Sequence, residues 1–376
     1  MRYVVARRVG WRGEGLGNEM FAWAKGAIAS QVLDAKLIGP SWGLNKRMYH
    51  RNFGTSRADW IIEDILTRLP SYAFTEADYR SSGEVDFGRA VEVWAARKGL
   101  PGKSNFIVTV DGMYGGCRAI RNARPFLYSR LLGSRDTLRN MYQLSAGLDP
   151  RRLFAAVHMR STQRGFRVLE KGESPRGRFN IVIPGDWYIQ ACHALRKEFG
   201  DSLQFHIFTD KGGSDYHEVV RLFNPGQQTQ SGLTECSDLL VMAQADLRIC
   251  SISSYSMIAS FLSDGPYLWY EPQLNRDNGV YNIWGSSPDE REPESLTAQG
   301  GEFASTIEPT RDNAATFRGY SINTGDPIPE GLVVQLQRKL RLADPRTDLL
   351  RFGSVPTWAG SKFQASGSAR EGMGND

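Results

Sequence analysis

An α/β fold in two domains is what the sequence predicts, and three observations predict it. The chain has 376 residues, more than one hydrophobic core usually organises. Its second half alternates short apolar runs with stretches of helical periodicity, the pattern of parallel strands joined by crossover helices. Its beginning reads as a strand, a glycine-rich turn and a helix.

Residues 3–6 form a short apolar run that ends at a loop, 10–18, containing four glycines. The segment 19–33 follows, with Met20, Phe21, Trp23, Ala24, Ala27, Ile28 and Val32 at helical spacing. A second apolar run, 106–110, stops at Asp111-Gly112, and the Arg-rich stretch 135–152 is expected to contain the interdomain connection. Beyond it, strands are expected at 154–159, 203–208, 247–250 and 267–270, and helices at 187–199, 236–245 and 256–262. The expected domains are therefore 1–148 and 149–350. Residues 285–326, rich in Gly, Pro, Ser, Asp and Glu, read as a loop or insertion, and 351–376 as a disordered tail.

Composition narrows the function. Hydrophobic residues at 41% and charged residues at 23% exclude disorder throughout. The formal charge of +5 suits an anionic ligand, but Arg and Lys are spread along the chain, which disfavours nucleic acid as a partner. Cys117, Cys192, Cys236 and Cys250 form no C-x-x-C pair and read as reduced, buried thiols. The first 17 residues carry four arginines and no apolar signal-like core, and no window approaches eighteen uninterrupted apolar residues. The expectation is a cytoplasmic, bacterial protein without a transmembrane segment.

Several short polar motifs stand at the ends of the apolar runs. Gly15, Gly17 and Asn18 open a helix whose first N–H groups lack intrahelical partners, so the turn either takes an anion or is simply tight. The 154–159 run delivers His158 and Arg160 at its carboxyl end, where open α/β sheets bind ligands. Arg suits a diphosphate because its planar fork makes two charge-assisted hydrogen bonds; the alternative is a surface Arg beside a core His. Asp210 ends the 203–208 run, where it either accepts from a purine or ribose or caps the next turn. Ser253, Ser254 and Ser256 follow the 247–250 run and form either a neutral phosphate cradle or a plain helix cap. No D-x-D occurs, so the carboxylate pair that often holds a divalent metal on a sugar nucleotide is missing and no metal is expected. Neither H-E-x-x-H nor G-x-S-x-G is present, which leaves metalloprotease and serine hydrolase chemistry without support.

In order, these segments resemble the bacterial α-1,2-fucosyltransferase family and, more distantly, Nod-factor, core α-1,6 and protein O-fucosyltransferases. Gly15-Leu16-Gly17-Asn18-Glu19-Met20-Phe21 is similar to the family's G-L-G-N-Q-x-F opening, Val110-Asp111-Gly112-Met113-Tyr114 to its L-x-G-Y-W segment, and His158-Met159-Arg160 to its H-x-R motif. Asp186-Trp187-Tyr188-Ile189-Gln190-Ala191 resembles the Y-Y-x-x-A helix, Phe208-Thr209-Asp210 stands in place of F-S-D, and Asp238-Leu239-Leu240-Val241-Met242-Ala243 and the serines from Ser251 to Ser256 resemble the last two blocks. Ser161 and Gln163 depart from H-x-R-R-x-D, and the paired Trp after the serine motif is absent.

The resemblance implies a GT-B fold, two Rossmann-like domains facing a central cleft, with the nucleotide held by the second. It implies an inverting, metal-independent glycosyltransferase that moves fucose from GDP-fucose to a hydroxyl of an oligosaccharide or glycan acceptor, with the GDP-sugar as co-substrate and no cofactor. Arg160 would stabilise the departing diphosphate. Asp111 is the candidate base, or a turn residue beside Gly112. Gly15, Gly17, Asn18, His158, Asp210, Ser253, Ser254 and Ser256 would bind the donor. Another sugar nucleotide on the same fold, or a non-catalytic carbohydrate- or nucleotide-binding module, remain the alternatives.

Overall fold

A computed structural model describes residues 1–6, 15–39, 49–53, 57–133, 135–161, 166–176, 178, 181–210, 214–227, 235–263, 265–274, 302–304 and 318–342. The expected tail at 351–376, the glycine-rich loop up to residue 14, Gln163 and most of 285–326 lie outside these residues. Two compact units divide the chain, one containing Met1–Asp136 and the other Thr137–Pro356. The division falls within 135–152, the stretch expected to carry the interdomain connection, and this stretch is largely helical.

The first unit runs β1 (Arg2–Ala6), α1 (Leu16–Val32), β2 (Lys36–Ile38), α2 (His50–Phe53), α3 (Arg57–Arg68), β3 (Tyr72–Phe74), α4 (Glu76–Ser82), α5 (Phe87–Arg97), β4 (Phe106–Val110), α6 (Gly116–Ala119) and α7 (Arg124–Leu132). Its sheet has the order β2-β1-β4-β3, and every pairing is parallel. β4, in the interior of the sheet, is buried at every position, which is why Phe106-Ile107-Val108-Thr109-Val110 reads as a continuous run rather than an alternation. α1 is buried on nearly all sides from Leu16 to Ala29, as expected of a helix that is apolar all round. It lies so close to β1 that a Cβ on Gly26 would stand 2.8 Å from Ala6 Cβ. Short helices start where the sequence caps them: Thr75 and Asp78 form a reciprocal capping box on α4, and Asp86 accepts from Arg89 N at the start of α5. Phe74 packs edge-on against Phe87 and Trp94, with both centroid separations 5.2 Å.

The second unit takes up most of α8 (Arg135–Ala146) and continues β5 (Leu153–Met159), α9 (Gly185–Phe199), β6 (Leu203–Thr209), α10 (Ser214–Phe223), α11 (Glu235–Gln244), β7 (Leu247–Cys250), α12 (Ser254–Phe261), β8 (Tyr267–Tyr270), β9 (Glu302–Ala304), β10 (Arg318–Ile322) and α13 (Glu330–Leu342). The strand order is β6-β5-β7-β8-β10-β9. All pairings are parallel except that of β9 with β10. Every residue of β5 is buried, and on one face Leu153, Ala155, Val157 and Met159 pack with Trp187 and Leu195 of α9, Val219 of α10, and Leu332 and Leu336 of α13. Trp187 Nε1 donates to Ile322 O at 3.1 Å and so ties α9 to β10.

Within 285–326, read from the sequence as a loop or insertion, the described residues form the strands Glu302–Ala304 and Arg318–Ile322, which the sequence reading did not place. β10 is an interior strand, parallel to β8, and Gly319 is required there because a Cβ would fall 2.2 Å from the Tyr267 ring. A five-residue strand containing glycine has too little apolar pattern to stand out beside a Gly- and Pro-rich segment. No helix among the described residues is long and apolar enough to cross a membrane.

Candidate functional site

In the second unit the chain leaves β5 for β6 on one side and later enters β7 on the other, so the strand order reverses between β5 and β7. Open α/β sheets bind ligands beyond the carboxyl ends of their strands at such a point. Side chains alternate along β5: its odd-numbered residues join the cluster with α9, His158 lies on the opposite face, and Arg160 follows just past the strand. His158 stands level with Phe208 of β6 and Cys250 of β7.

His158 is buried, with 3% exposure, and holds three elements together. Its Nδ1 lies 2.6 Å from Ser256 Oγ and 3.0 Å from Ser251 Oγ, linking β5 to the segment between β7 and α12. The backbone repeats the link, with Ser251 N donating to His158 O at 3.0 Å and Tyr188 Oη of α9 donating to the same carbonyl at 3.3 Å. Burial, with the Arg160 charge adding to it, pushes the imidazole down to about 3. The ring is therefore neutral at physiological pH.

The charge at this edge is carried by Arg160. Its guanidinium lies 3.6 Å from Asp210 Oδ2, the side chains being 17% and 5% exposed, and its Cζ stands 4.5 Å from the centre of the Phe166 ring. Asp210 also accepts from Ser161 N through Oδ1 at 3.0 Å. The carboxylate that the sequence offered to a purine is thus turned towards Arg160 and Ser161.

The serine motif divides by position. Ser253 is the N-cap of α12, its Oγ accepting from Ser256 N at 3.3 Å. Ser254 is the first residue of the helix and, like Ser253, is half-buried. Ser256 is fully buried against His158 and forms part of the wall. The edge of the second sheet thus combines a cation held in place, a helix start and partly exposed hydroxyls, an arrangement suited to an anion.

The remaining expected residues belong to the first unit. Gly15 is the extended N-cap of α1, and its carbonyl accepts from Asn18 N at 2.9 Å; Leu16 N donates to Tyr49 Oη at 2.9 Å. Gly17 is buried and Asn18 half-buried. Asp111 follows β4 directly, so it and the α1 start both lie beyond the carboxyl ends of β1 and β4, where the order of the first sheet reverses. Sequence reasoning missed Lys25, which is fully buried in α1, and the anchoring roles of Tyr188 and Phe166. A single lysine among Met20, Phe21, Trp23, Ala24, Ala27 and Ile28 was the available signal for Lys25. The four cysteines are free and buried.

A scan of protein-family models matches none of them, and a search of curated proteins returns no match.

Proposed function

We propose that the protein is an inverting, metal-independent glycosyltransferase of GT-B type that transfers fucose from GDP-fucose to a hydroxyl of an oligosaccharide or glycan. The observation that carries this reading is the convergence at one sheet edge of the Asp210-anchored Arg160 with the serine-capped start of α12. A diphosphate needs a permanent cation in fixed orientation together with neutral donors, and the order of the sequence motifs supplies the choice of sugar nucleotide.

In the proposed reaction the acceptor oxygen forms a bond to the anomeric carbon as the bond from that carbon to the β-phosphate oxygen breaks. The electron pair leaves with GDP, and the acceptor proton passes to the Asp111 carboxylate. Negative charge grows on the departing diphosphate, and Arg160, the Ser253 and Ser254 hydroxyls and the first N–H groups of α12 receive it. One such donor is worth about 2.7–4 kcal/mol of transition-state stabilisation. Asp210 aims the guanidinium, and His158 with Ser256 fixes the helix start against β5. Gly15, Gly17 and Asn18 contribute the donor contacts of the first unit.

Competition calorimetry with GDP, UDP and dTDP tests the donor assignment. GDP is expected to bind most tightly, and equal binding of UDP would contradict it.

A further inference from the structure

Lys25 is among the buried ionisable groups of the first unit to which the proposed reaction gives no task. Lys25 has 0% exposure, and its Nζ donates to Gly112 O at 3.1 Å and is placed towards Asp111 O at 3.4 Å. The same nitrogen stands 3.1 Å from the centre of the Tyr114 ring, and Tyr114 Oη donates to Phe74 O at 3.2 Å at the end of β3. Two carbonyls and an aromatic face from one short loop thus surround the amine.

That loop is tightly specified. Gly112, Gly115 and Gly116 have φ of 71°, 77° and 55°, in the region that L side chains rarely adopt. A Cβ on Gly115 would also stand 2.8 Å from Tyr79 Oη. Burial pushes the Lys25 amine well below its usual range, while the charges of Asp111 and Glu76 oppose the shift. An apolar side chain of similar length would fill the space without that desolvation. What it could not do is hold consecutive carbonyls of the turn that carries Asp111.

We propose that Lys25 is a positioning residue that, by binding the carbonyls of Asp111 and Gly112 beneath the Tyr114 ring, sets the direction in which the Asp111 carboxylate leaves the end of β4. This rests on the reading of Asp111 as the base of the transfer reaction.

The test compares the parent chain with Lys25→Met, Lys25→Arg and Asp111→Asn, measuring transfer kinetics, GDP affinity and amide hydrogen exchange across residues 111–116. Lys25→Met is expected to speed exchange in that loop and to lower kcat by about tenfold to a hundredfold, the scale on which a misplaced group costs rate. GDP affinity should stay unchanged, and Lys25→Arg should restore part of the rate. If Lys25→Met does not fold, Lys25→Gln, which keeps one donor, takes its place with the same expectations. Parent-like exchange or parent-like kcat in the folded variant overturns the proposal. Full transfer by Asp111→Asn removes the base on which it rests; an inactive Asp111→Asn beside a fully active Lys25→Met removes the role of Lys25 alone.

Discussion

Arg160 and Asp210, at the ends of the adjacent strands β5 and β6, face each other with 3.6 Å between guanidinium and carboxylate. Both side chains are largely withdrawn from water, so neither is a freely moving surface charge. The pair turns two strand ends into one unit, because Asp210 also receives Ser161 N just after Arg160. Replacing Asp210 by Ala removes a hydrogen bond to Ser161 N and the carboxylate facing the Arg160 guanidinium, and a loss of about 1–3 kcal/mol is expected in urea unfolding. Asp210→Asn, which keeps an acceptor for Ser161 N, should lose less. Equal stability of Asp210→Ala and the parent would mean that the carboxylate does not hold this edge.

His158 makes stability depend on pH in a defined direction. Its folded value of about 3 lies below the unfolded 6.5, so between these limits the unfolded chain binds the extra proton. The stabilisation is complete above about pH 6.5 and falls as pH drops towards 3, with a slope of at most about 1.4 kcal/mol per pH unit. His206, which burial pushes down to about 4, acts in the same sense. Denaturation at pH 7 and pH 5 should therefore show a drop that is smaller in His158→Asn, and an unchanged drop in that variant would assign the effect elsewhere.

The serines of α12 should separate into wall and contact. Ser256→Ala removes a 2.6 Å partner of a buried ring and is expected to cost about 1 kcal/mol of stability. Ser254→Ala should leave the melting temperature unchanged while weakening GDP binding, since that half-buried side chain opens the helix. Thermal melts with GDP titration measure both, and the reverse assignment of effects would contradict the division.

Gly26→Ala tests the close approach of α1 to β1. The added Cβ meets Ala6 Cβ at 2.8 Å and Leu37 Cδ1 at 3.0 Å, so the helix must lift off the sheet. Overpacking of this kind costs about 1–3 kcal/mol, to be read from chemical denaturation. A neutral or stabilising result would show that the helix can move outward without loss.

The strands β4, β5, β6 and β7 were legible because they are short apolar runs ending at polar punctuation, and Asp111, Arg160, Asp210 and Ser253 follow those ends in that order. β2 and β3, at three residues each, are too short to display a period. A core His158 was one of the two sequence readings, but its partners and the burial of Ser256 were not legible, because they depend on Tyr188 and Ser251 arriving from other parts of the chain. Lys25 was hidden for the same reason: its partners, Asp111 and Gly112, are 86 and 87 residues away.

The most direct measurement is fucose transfer from GDP-fucose to a glycan panel, in EDTA, by the parent chain and by Arg160→Lys, with melting curves to verify the fold. An ammonium keeps the charge of Arg160 but not the planar fork, so turnover should fall on the order of a hundredfold or more in a well-folded variant. The parent should remain active in chelator. Near-parental turnover by folded Arg160→Lys, or activity of the parent lost in EDTA and restored by Mg²⁺ or Mn²⁺, would contradict a metal-independent transfer centred on Arg160.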